Sequence, residues 1–406
     1  MNNKKFRIIH LSTSMQGGAG IAARRLHESL LVAGHDSHIV TLDRGVSATK
    51  NQLLIKRSKK LILVSKIYTL LNLSFDSLSF FSIFTTGVSF RKFMIKVNPL
   101  LLEVENNPVI HIHNWYNFLT IRVMKKICAT GIPVVFTLHD QRLLTGGCHY
   151  ALECTGFQSG CKKCPEIKGF ANRQIEYNSR AIKKLSEKFP EIVFIAPSKW
   201  LASEVRKSSQ TRKVRTIQIY NVVPASEFPR ASERELLDST TLNSKPFKYV
   251  GVASMDKKAL IKGGDITEKL RHNLQEGDSD VRLLFLSEWL REGKAYPAFW
   301  KNISATLVLS RADNSPNVIH EAKINNLPVI ASTVGGLPEL LDSVQDLLIR
   351  DINIPISQLS EKIIQFVEKR IREKTNNEIL NLYHEVVGTP LLSHIELYRS
   401  IADSRI

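Results

Sequence analysis

At 406 residues the chain is too long for one ordinary hydrophobic core, and two domains of roughly 150 to 200 residues each are expected. Hydrophobic residues make up 43% and charged residues 23%, which excludes disordered and fibrous classes. The formal net charge of +18 favours acidic partners: nucleic acid, anionic lipid headgroups or phosphorylated small molecules.

The elements follow in chain order. "KFRIIHLS" predicts a short apolar strand, "GGAGIAARRLHESLLVAGH" a helix ending at Gly34, and "SHIVTL" a second strand. Gly17, Gly18 and Gly20 form a flexible turn at that helix's N-terminus, where unpaired N–H groups favour an anion. The spacing is not the dinucleotide fingerprint, and a plain strand-to-helix turn also accounts for it. Residues 56–97 are basic and apolar without a full membrane span. Such a segment either lies at an anionic membrane surface or forms a buried helical insertion.

Strand "NPVIHIH", helix "FLTIRVMKKICATG" and strand "IPVVFTLHD" come next. His111, His113, Trp115 and Tyr116 at the first strand's end suit either a sugar face or core packing. Helix "NRQIEYNSRAIKKLSEKF", strand "EIVFIAPS" and helix "KWLASEVRKSS" complete a first series. Near-continuous apolar strands alternating with helices imply a parallel sheet covered on both faces. The polar, Pro- and Ser-rich stretch 222–246 reads as a linker. A second series follows: "FKYVGVAS", helix "GGDITEKLRHNL", "DVRLLFL", "SATLVLS", helix "NVIHEAKIN" and "LPVIAS", with a helical pattern after Ile354. The expected class is α/β, two doubly wound domains with a ligand cleft between them at the strands' carboxyl ends.

No uncharged apolar run reaches the ~18 residues of a membrane span. The start, "MNNKKFRIIHLSTSMQGG", has no signal-peptide core, so a cytoplasmic chain is expected. The cysteines fit that compartment. Cys128 lies alone in a helical pattern as a small core residue. Cys148, Cys154, Cys161 and Cys164 crowd into "GGCHYALECTGFQSGCKKCP". In a reducing cytosol they suit a structural zinc site, with His149 as an alternative ligand, or remain unligated thiols or a redox-labile pair.

The stretch "SRADNSPNVIHEAKINNLPVIASTVGGLPEL" holds the candidate site. Asp313 lies in the loop after a strand and Glu321 on the first turns of the helix begun near Pro316 and Asn317, so both belong at the sheet's carboxyl end. Carboxylates there can accept hydrogen bonds from vicinal sugar hydroxyls, and the intervening helix N-terminus, with Asn314 and Asn317, can offer N–H donors to a diphosphate. Alternatively Asp313 is an N-cap and Glu321 faces solvent.

In order along the chain, "GGAGIAARRLHESL", "TLHDQRLLTGGCHY", "GCKKCP", "APSKWL", "DNSPNVIHEA" and "LPVIASTVGGLPEL" carry a resemblance. The sequence resembles a bacterial family 4 (group 1) GT-B glycosyltransferase of the capsule, exopolysaccharide and O-antigen type. The resemblance implies an N-terminal acceptor-side Rossmann-like domain over 1–225 and a nucleotide-sugar-binding one over 226–387, with a helix over 388–406 crossing back to the first. It implies that Glu321 holds the donor ribose and Asp313 hydrogen-bonds the donor sugar, where the family's usual residue is Glu. Lys262 in "LIKGGD" matches the lysine that neutralises the departing diphosphate, and His139 in "TLHD" the histidine over the donor sugar. Gly17 and Gly18 match the loop approaching phosphate and acceptor, and Gly335 and Gly336 the loop near the diphosphate. The Arg that usually accompanies the lysine is missing, and "VGVASMDKK" offers only Lys257 and Lys258.

The implied activity is retaining hexosyl transfer from a nucleoside-diphosphate sugar to a glycan or lipid-linked glycan at the inner face of the cytoplasmic membrane. Front-side attack is implied, with no catalytic metal or other cofactor required. Lysine and helix N–H groups would stabilise charge growing on the diphosphate. Two other readings are a sugar-nucleotide epimerase of similar shape and a zinc-dependent nucleic-acid-binding protein. The basic residues are dispersed and no recognition signature accompanies the cysteines, so no nucleic-acid partner is expected.

Overall fold

A computed structural model describes residues 6–43, 49–56, 87–101, 107–165, 171–227, 247–253, 259–372 and 380–403. Lys257 and Lys258, residues 57–86 of the basic apolar segment and 228–246 of the expected linker lie outside them. The chain divides into two units, residues 1–222 with 389–406, and residues 223–388.

The first unit holds β1 (Arg7–Leu11), α1 (Gly17–Val32), β2 (Asp36–Thr41), β3 (Gln52–Leu54), α2 (Phe90–Leu101) and β4 (Val109–Ile112). It continues with α3 (Ile121–Cys128), β5 (Val134–Thr137), α4 (Ala171–Lys188), β6 (Val193–Ala196), α5 (Lys199–Lys207) and β7 (Arg215–Gln218). The second unit holds β8 (Lys248–Val252), α6 (Gly264–Glu276), β9 (Val281–Phe285), α7 (Leu286–Arg291), α8 (Tyr296–Lys301) and β10 (Ala305–Val308). Then come α9 (Asn317–Ile324), β11 (Val329–Ser332), β12 (Leu347–Ile349) and α10 (Ile356–Arg372). The last helix, α11 (Leu380–Asp403), enters the first unit at Thr389.

Every strand pair is parallel, in the orders β3-β2-β1-β4-β5-β6-β7 and β12-β11-β10-β8-β9. Alternation along β1 shows why its residues are nearly all apolar. Ile9 and Leu11 face a core with Phe93, Val97, Met124 and Ile127, while Ile8 faces another with Leu26, Leu30, Tyr398 and Ile401. Both faces are covered, so no polar face is needed. The helices start where the sequence supplies caps: the Thr120 hydroxyl accepts from Val123 N ahead of α3, and Ser198 from Leu201 N ahead of α5.

Three strands are not expected from the sequence pattern: β3, β7 and β12. Each is a sheet edge, only half-buried along most of its length, so no apolar run marks it. Reversal of strand order leaves one switch point per sheet, between β1 and β4 and between β8 and β10. Loops leaving the carboxyl ends at such a point are where doubly wound sheets bind ligands.

Candidate functional site

In the second unit the switch point is spanned by an ion pair. Lys262 closes a short 3-10 turn, Leu260–Lys262, beyond β8, and Asp313 lies beyond β10. Lys262 Nζ donates to Asp313 Oδ2 at 2.6 Å, Ser310 Oγ donates to the same oxygen at 3.3 Å, and Asn314 N donates to Oδ1 at 2.9 Å. Asp313 is only 5% exposed. A buried carboxylate without such partners would lose several kcal/mol of hydration uncompensated, on the order of 3 to 5 when one partner is removed.

Two glycines make this geometry available. Gly263 and Gly335 have φ of +70° and +57°, and a Cβ on either would stand 1.9 Å from a backbone oxygen, of Leu309 and of Asp313 respectively. Gly336 N donates to the same Asp313 carbonyl at 3.1 Å. The Gly335–Gly336 loop is thus pressed onto the backbone that carries the ion-paired carboxylate.

Glu321 sits on α9 and is buried, and the Tyr296 hydroxyl donates to its Oε2 at 2.5 Å. Neither acid takes the alternative role set out above. The N-cap of α9 is Pro316, with no side-chain cap, and neither carboxylate is exposed to solvent. Asn314 is buried in the loop and Asn317 opens α9 half-buried.

Two features escape sequence reasoning: Tyr296, and a clasp beside Lys262. Arg311 donates from Nη1 and Nη2 to both oxygens of Asp265, at 2.6 and 2.7 Å, and from Nη1 to Leu260 O at 2.5 Å. That pairing holds the Asp265 carboxyl below its usual range and raises Arg311. The signal available was an Arg two residues before Asp313 and an Asp three residues after Lys262.

In the first unit, Gly17 and Gly18 border open space at the start of α1, where Gln16 provides no side-chain cap. Gly20 is the close-packed glycine of that turn, since a Cβ there would meet Ser14 O at 2.5 Å. His139 follows β5 and is half-buried. Behind it stands a histidine network that sequence reasoning only partly found. His10 Nδ1 and His113 Nε2 are 3.0 Å apart, and His113 Nδ1 and His139 Nε2 are 3.3 Å apart. His111 is bonded on both sides, Nδ1 to the Tyr398 hydroxyl at 2.6 Å and Nε2 to Thr137 Oγ1 at 2.7 Å.

His111, His113 and Trp115 are buried, so the alternative of core packing holds for these three; Tyr116 is half-buried with the Arg142 guanidinium 5.0 Å over its ring. Burial lowers the pKa of His139 to about 4, against the opposing pull of Asp140. His10, His111 and His113 are held well below 6.5, by burial first and then by neighbouring histidines. A histidine within an otherwise apolar strand, in both "RIIHL" and "VIHIH", was the available signal for His10.

The cysteine loop packs tightly. Gly146 N donates to Cys161 Sγ at 3.3 Å, Gly156 N to Cys154 Sγ at 3.4 Å, and Asn178 Nδ2 to Gly146 O at 3.0 Å. Cys161 packs with Ala151, Phe157 and Ile175, and Cys164 lies against that cluster. Burial pushes the Cys161 thiol up to about 11. Among the described residues, the group of three potential metal ligands with donor atoms within 4.8 Å of one another is His10, His111 and His113, not the cysteines. His149 Nε2 lies 3.6 Å from Asp140 Oδ2.

The model of Glycosyltransferase Family 4 matches residues 16–227, more than half of the chain. The chain belongs to glycosyltransferase family 4. This family 4 glycosyltransferase is 22% identical over 353 residues to WcaC of Escherichia coli K12, named as a colanic acid biosynthesis glycosyl transferase, covering 80% of this chain and 82% of that protein. Among solved structures, sucrose-phosphate synthase from Thermosynechococcus elongatus matches with a TM-score of 0.61 at 15% identity, over 98% of this chain and all of that one. HepE of Anabaena, solved with UDP and glucose, matches at 0.57 and 15%, over 97% of this chain and 100% of that one. WaaG, a glycosyltransferase of lipopolysaccharide biosynthesis, matches at 0.53 and 12%, over 94% and 98%. At these identities the structural likeness establishes the fold, which is GT-B. Among the described residues no helix is long and apolar enough to cross a membrane.

Proposed function

We propose that this family 4 glycosyltransferase moves a hexosyl unit, with retention, from a nucleoside-diphosphate sugar to a growing glycan of a cell-surface polysaccharide. The observation that carries the donor assignment is the Lys262–Asp313 pair at the switch point of the second sheet. A lysine held there by a carboxylate has an anion partner that a diphosphate can replace. As the glycosyl–phosphate bond breaks, charge grows on the phosphate oxygens and the Lys262 ammonium stabilises it. Asp313, released from the lysine, is then an acceptor for a donor-sugar hydroxyl. Glu321, already oriented by Tyr296, accepts from the ribose. Asn314, Asn317, Gly335 and Gly336 complete the donor loop, and Gly17 and Gly18 leave room at α1's first turn for phosphate or acceptor.

The polysaccharide assignment draws on the likeness to WcaC. The lipid-linked acceptor, the cytoplasmic location at the inner membrane face and metal-independent turnover come from the resemblance in the motifs and the +18 charge. Incubation with a panel of nucleotide sugars, with and without glycan acceptor, tests the reading. Donor-specific thermal stabilisation and nucleotide release that requires acceptor are expected. Nucleotide release or sugar inversion without acceptor would favour an epimerase instead. Structural zinc in the cysteine loop is a separate proposal. Since the sulfurs do not gather as a ready ligand set, binding would have to draw them together, and elemental analysis of chelator-free protein decides it.

A further inference from the structure

We propose that His113 and His10 are positioning residues that fix His139 in its Nδ1–H form, so that it presents a hydrogen-bond donor to the substrate rather than a bare lone pair. This rests on the reading that His139 addresses the transferred sugar. It adds which nitrogen bears the proton and which residues decide that.

The relay begins at its inner end, with His10. This residue is fully buried on β1, in register with His111 of β4, and its Nε2 has no hydrogen-bond partner among the described residues. A neutral imidazole carries one proton and offers one lone pair. A proton on His10 Nε2 would leave an N–H orphaned in a dry interior, which folded proteins rarely tolerate; a bare lone pair there is the lesser loss. The proton therefore belongs on Nδ1, which lies 3.0 Å from His113 Nε2.

His113 Nε2 must then accept, so the His113 proton sits on Nδ1. That atom lies 3.3 Å from His139 Nε2 and donates to it. With Nε2 accepting, His139 carries its own proton on Nδ1. Each assignment forces the next, because an imidazole's second nitrogen takes the role the first does not. The outer end has no such constraint: His139 is half-buried, and among the described residues Nδ1 has no protein partner.

The remaining neighbours keep the relay in one arrangement. His111, whose ring centroid lies 3.9 Å from that of His113, is held by Thr137 and Tyr398 on its two nitrogens and does not compete for the His10–His113 contact. His27, whose ring meets His10 edge-on at 5.9 Å, is occupied by Ser37 Oγ at 2.7 Å and Lys50 O at 2.9 Å. The chemical consequence is specific. His139 as Nδ1–H can donate to a sugar hydroxyl or a phosphate oxygen, and cannot remove a proton through that atom.

The test reads the tautomer directly. Ring nitrogens of ¹⁵N-histidine-labelled protein are observed by multiple-bond ¹⁵N–¹H spectra, with His139 assigned by the signals lost in His139→Gln. The expected wild-type pattern is protonated Nδ1 and bare Nε2. In His113→Phe, which keeps a ring but removes the donor, His139 should shift toward the Nε2–H form that free imidazole side chains prefer. Its kcat should fall roughly tenfold or more, as for loss of other orienting groups, with KM little changed. A wild-type His139 protonated at Nε2 would overturn the proposal, and that spectrum decides the matter even if His113→Phe fails to fold. Perturbation of the His10 and His113 signals by stoichiometric Zn²⁺ would assign the trio to a metal and overturn it as well. Unchanged turnover in His139→Gln, with the tautomer as expected, would instead sink the role of His139 in the reaction.

Discussion

The two units solve the same problem, polar groups at a sheet's carboxyl end, with opposite chemistry. The first uses neutral imidazoles, each paired by a hydrogen bond and each kept uncharged by burial. The second uses opposed charges: Lys262 with Asp313, and Arg311 with Asp265. The difference follows from what surrounds each site. The histidines lie within or just beyond strands covered on both faces, where a charge would be stripped of water. The ion pairs lie in loops and helix starts, where backbone N–H groups and water share the load.

The strongest way to break the charged site alone is through its backbone. Gly263→Ala would need a left-handed φ and would drive a methyl into Leu309 O, so a loss of about 4 kcal/mol or more is expected. Chemical denaturation monitored by tryptophan fluorescence in the second unit, where Trp289 and Trp300 lie, checks it. An unchanged midpoint would mean the close approach relaxes easily.

Lys262→Ala removes the charge without the backbone change. A hundred- to thousandfold fall in kcat is expected, about 3 to 4 kcal/mol of barrier, because the diphosphate charge grows in the transition state. Steady-state kinetics with the donor varied separate this from weaker binding. A raised KM at normal kcat would reduce Lys262 to a substrate anchor.

Acid should separate the units. A histidine whose folded pKa lies below its unfolded value of about 6.5 takes up its proton more readily in the unfolded chain. Its stabilising contribution is complete above that pH and is lost as pH falls toward the folded value. For His27 and His394, both buried and lowered to about 4, the window runs from about pH 6.5 down to about 4. Each costs up to about 1.4 kcal/mol per pH unit there, and His10, His111, His113 and His139, lowered likewise, act in the same direction. Asp265 has the opposite ordering of partners: its pKa is depressed, so its contribution persists above the unfolded carboxylate value near 4 and is lost only below it. Unfolding of the first unit should therefore begin at higher pH than that of the second, as hydrogen exchange resolved by peptide would show. Simultaneous loss near pH 4 would contradict the contrast.

The smallest expected effect sharpens the donor site. Glu321→Gln keeps shape and loses charge, and one charge-assisted hydrogen bond to the donor is worth about 1.5 to 3 kcal/mol. Donor affinity should fall while thermal stability stays near wild type, because Tyr296 can still donate to the amide oxygen. Equal donor kinetics would remove Glu321 from the ribose.

The sequence by itself determined the class of fold. Apolar strands such as "RIIHL" and "VVFT" can be buried on both faces only in a parallel α/β sheet, and the order of short motifs along the chain points to family 4. It also singled out Asp313 and Glu321, which neither the helix nor the strand there needs, and its resemblance to the family pointed to Lys262. What only the tertiary structure decided were the pairings across long separations: Lys262 with Asp313, Tyr296 with Glu321, and His10 with His113 and so with His139. Edge strands β3, β7 and β12 belong to the same class. Local pattern reports which residues must be buried; partners are chosen when strands distant in sequence become neighbours, and a hydrogen bond's direction is settled only when the last group in the chain has nowhere else to turn.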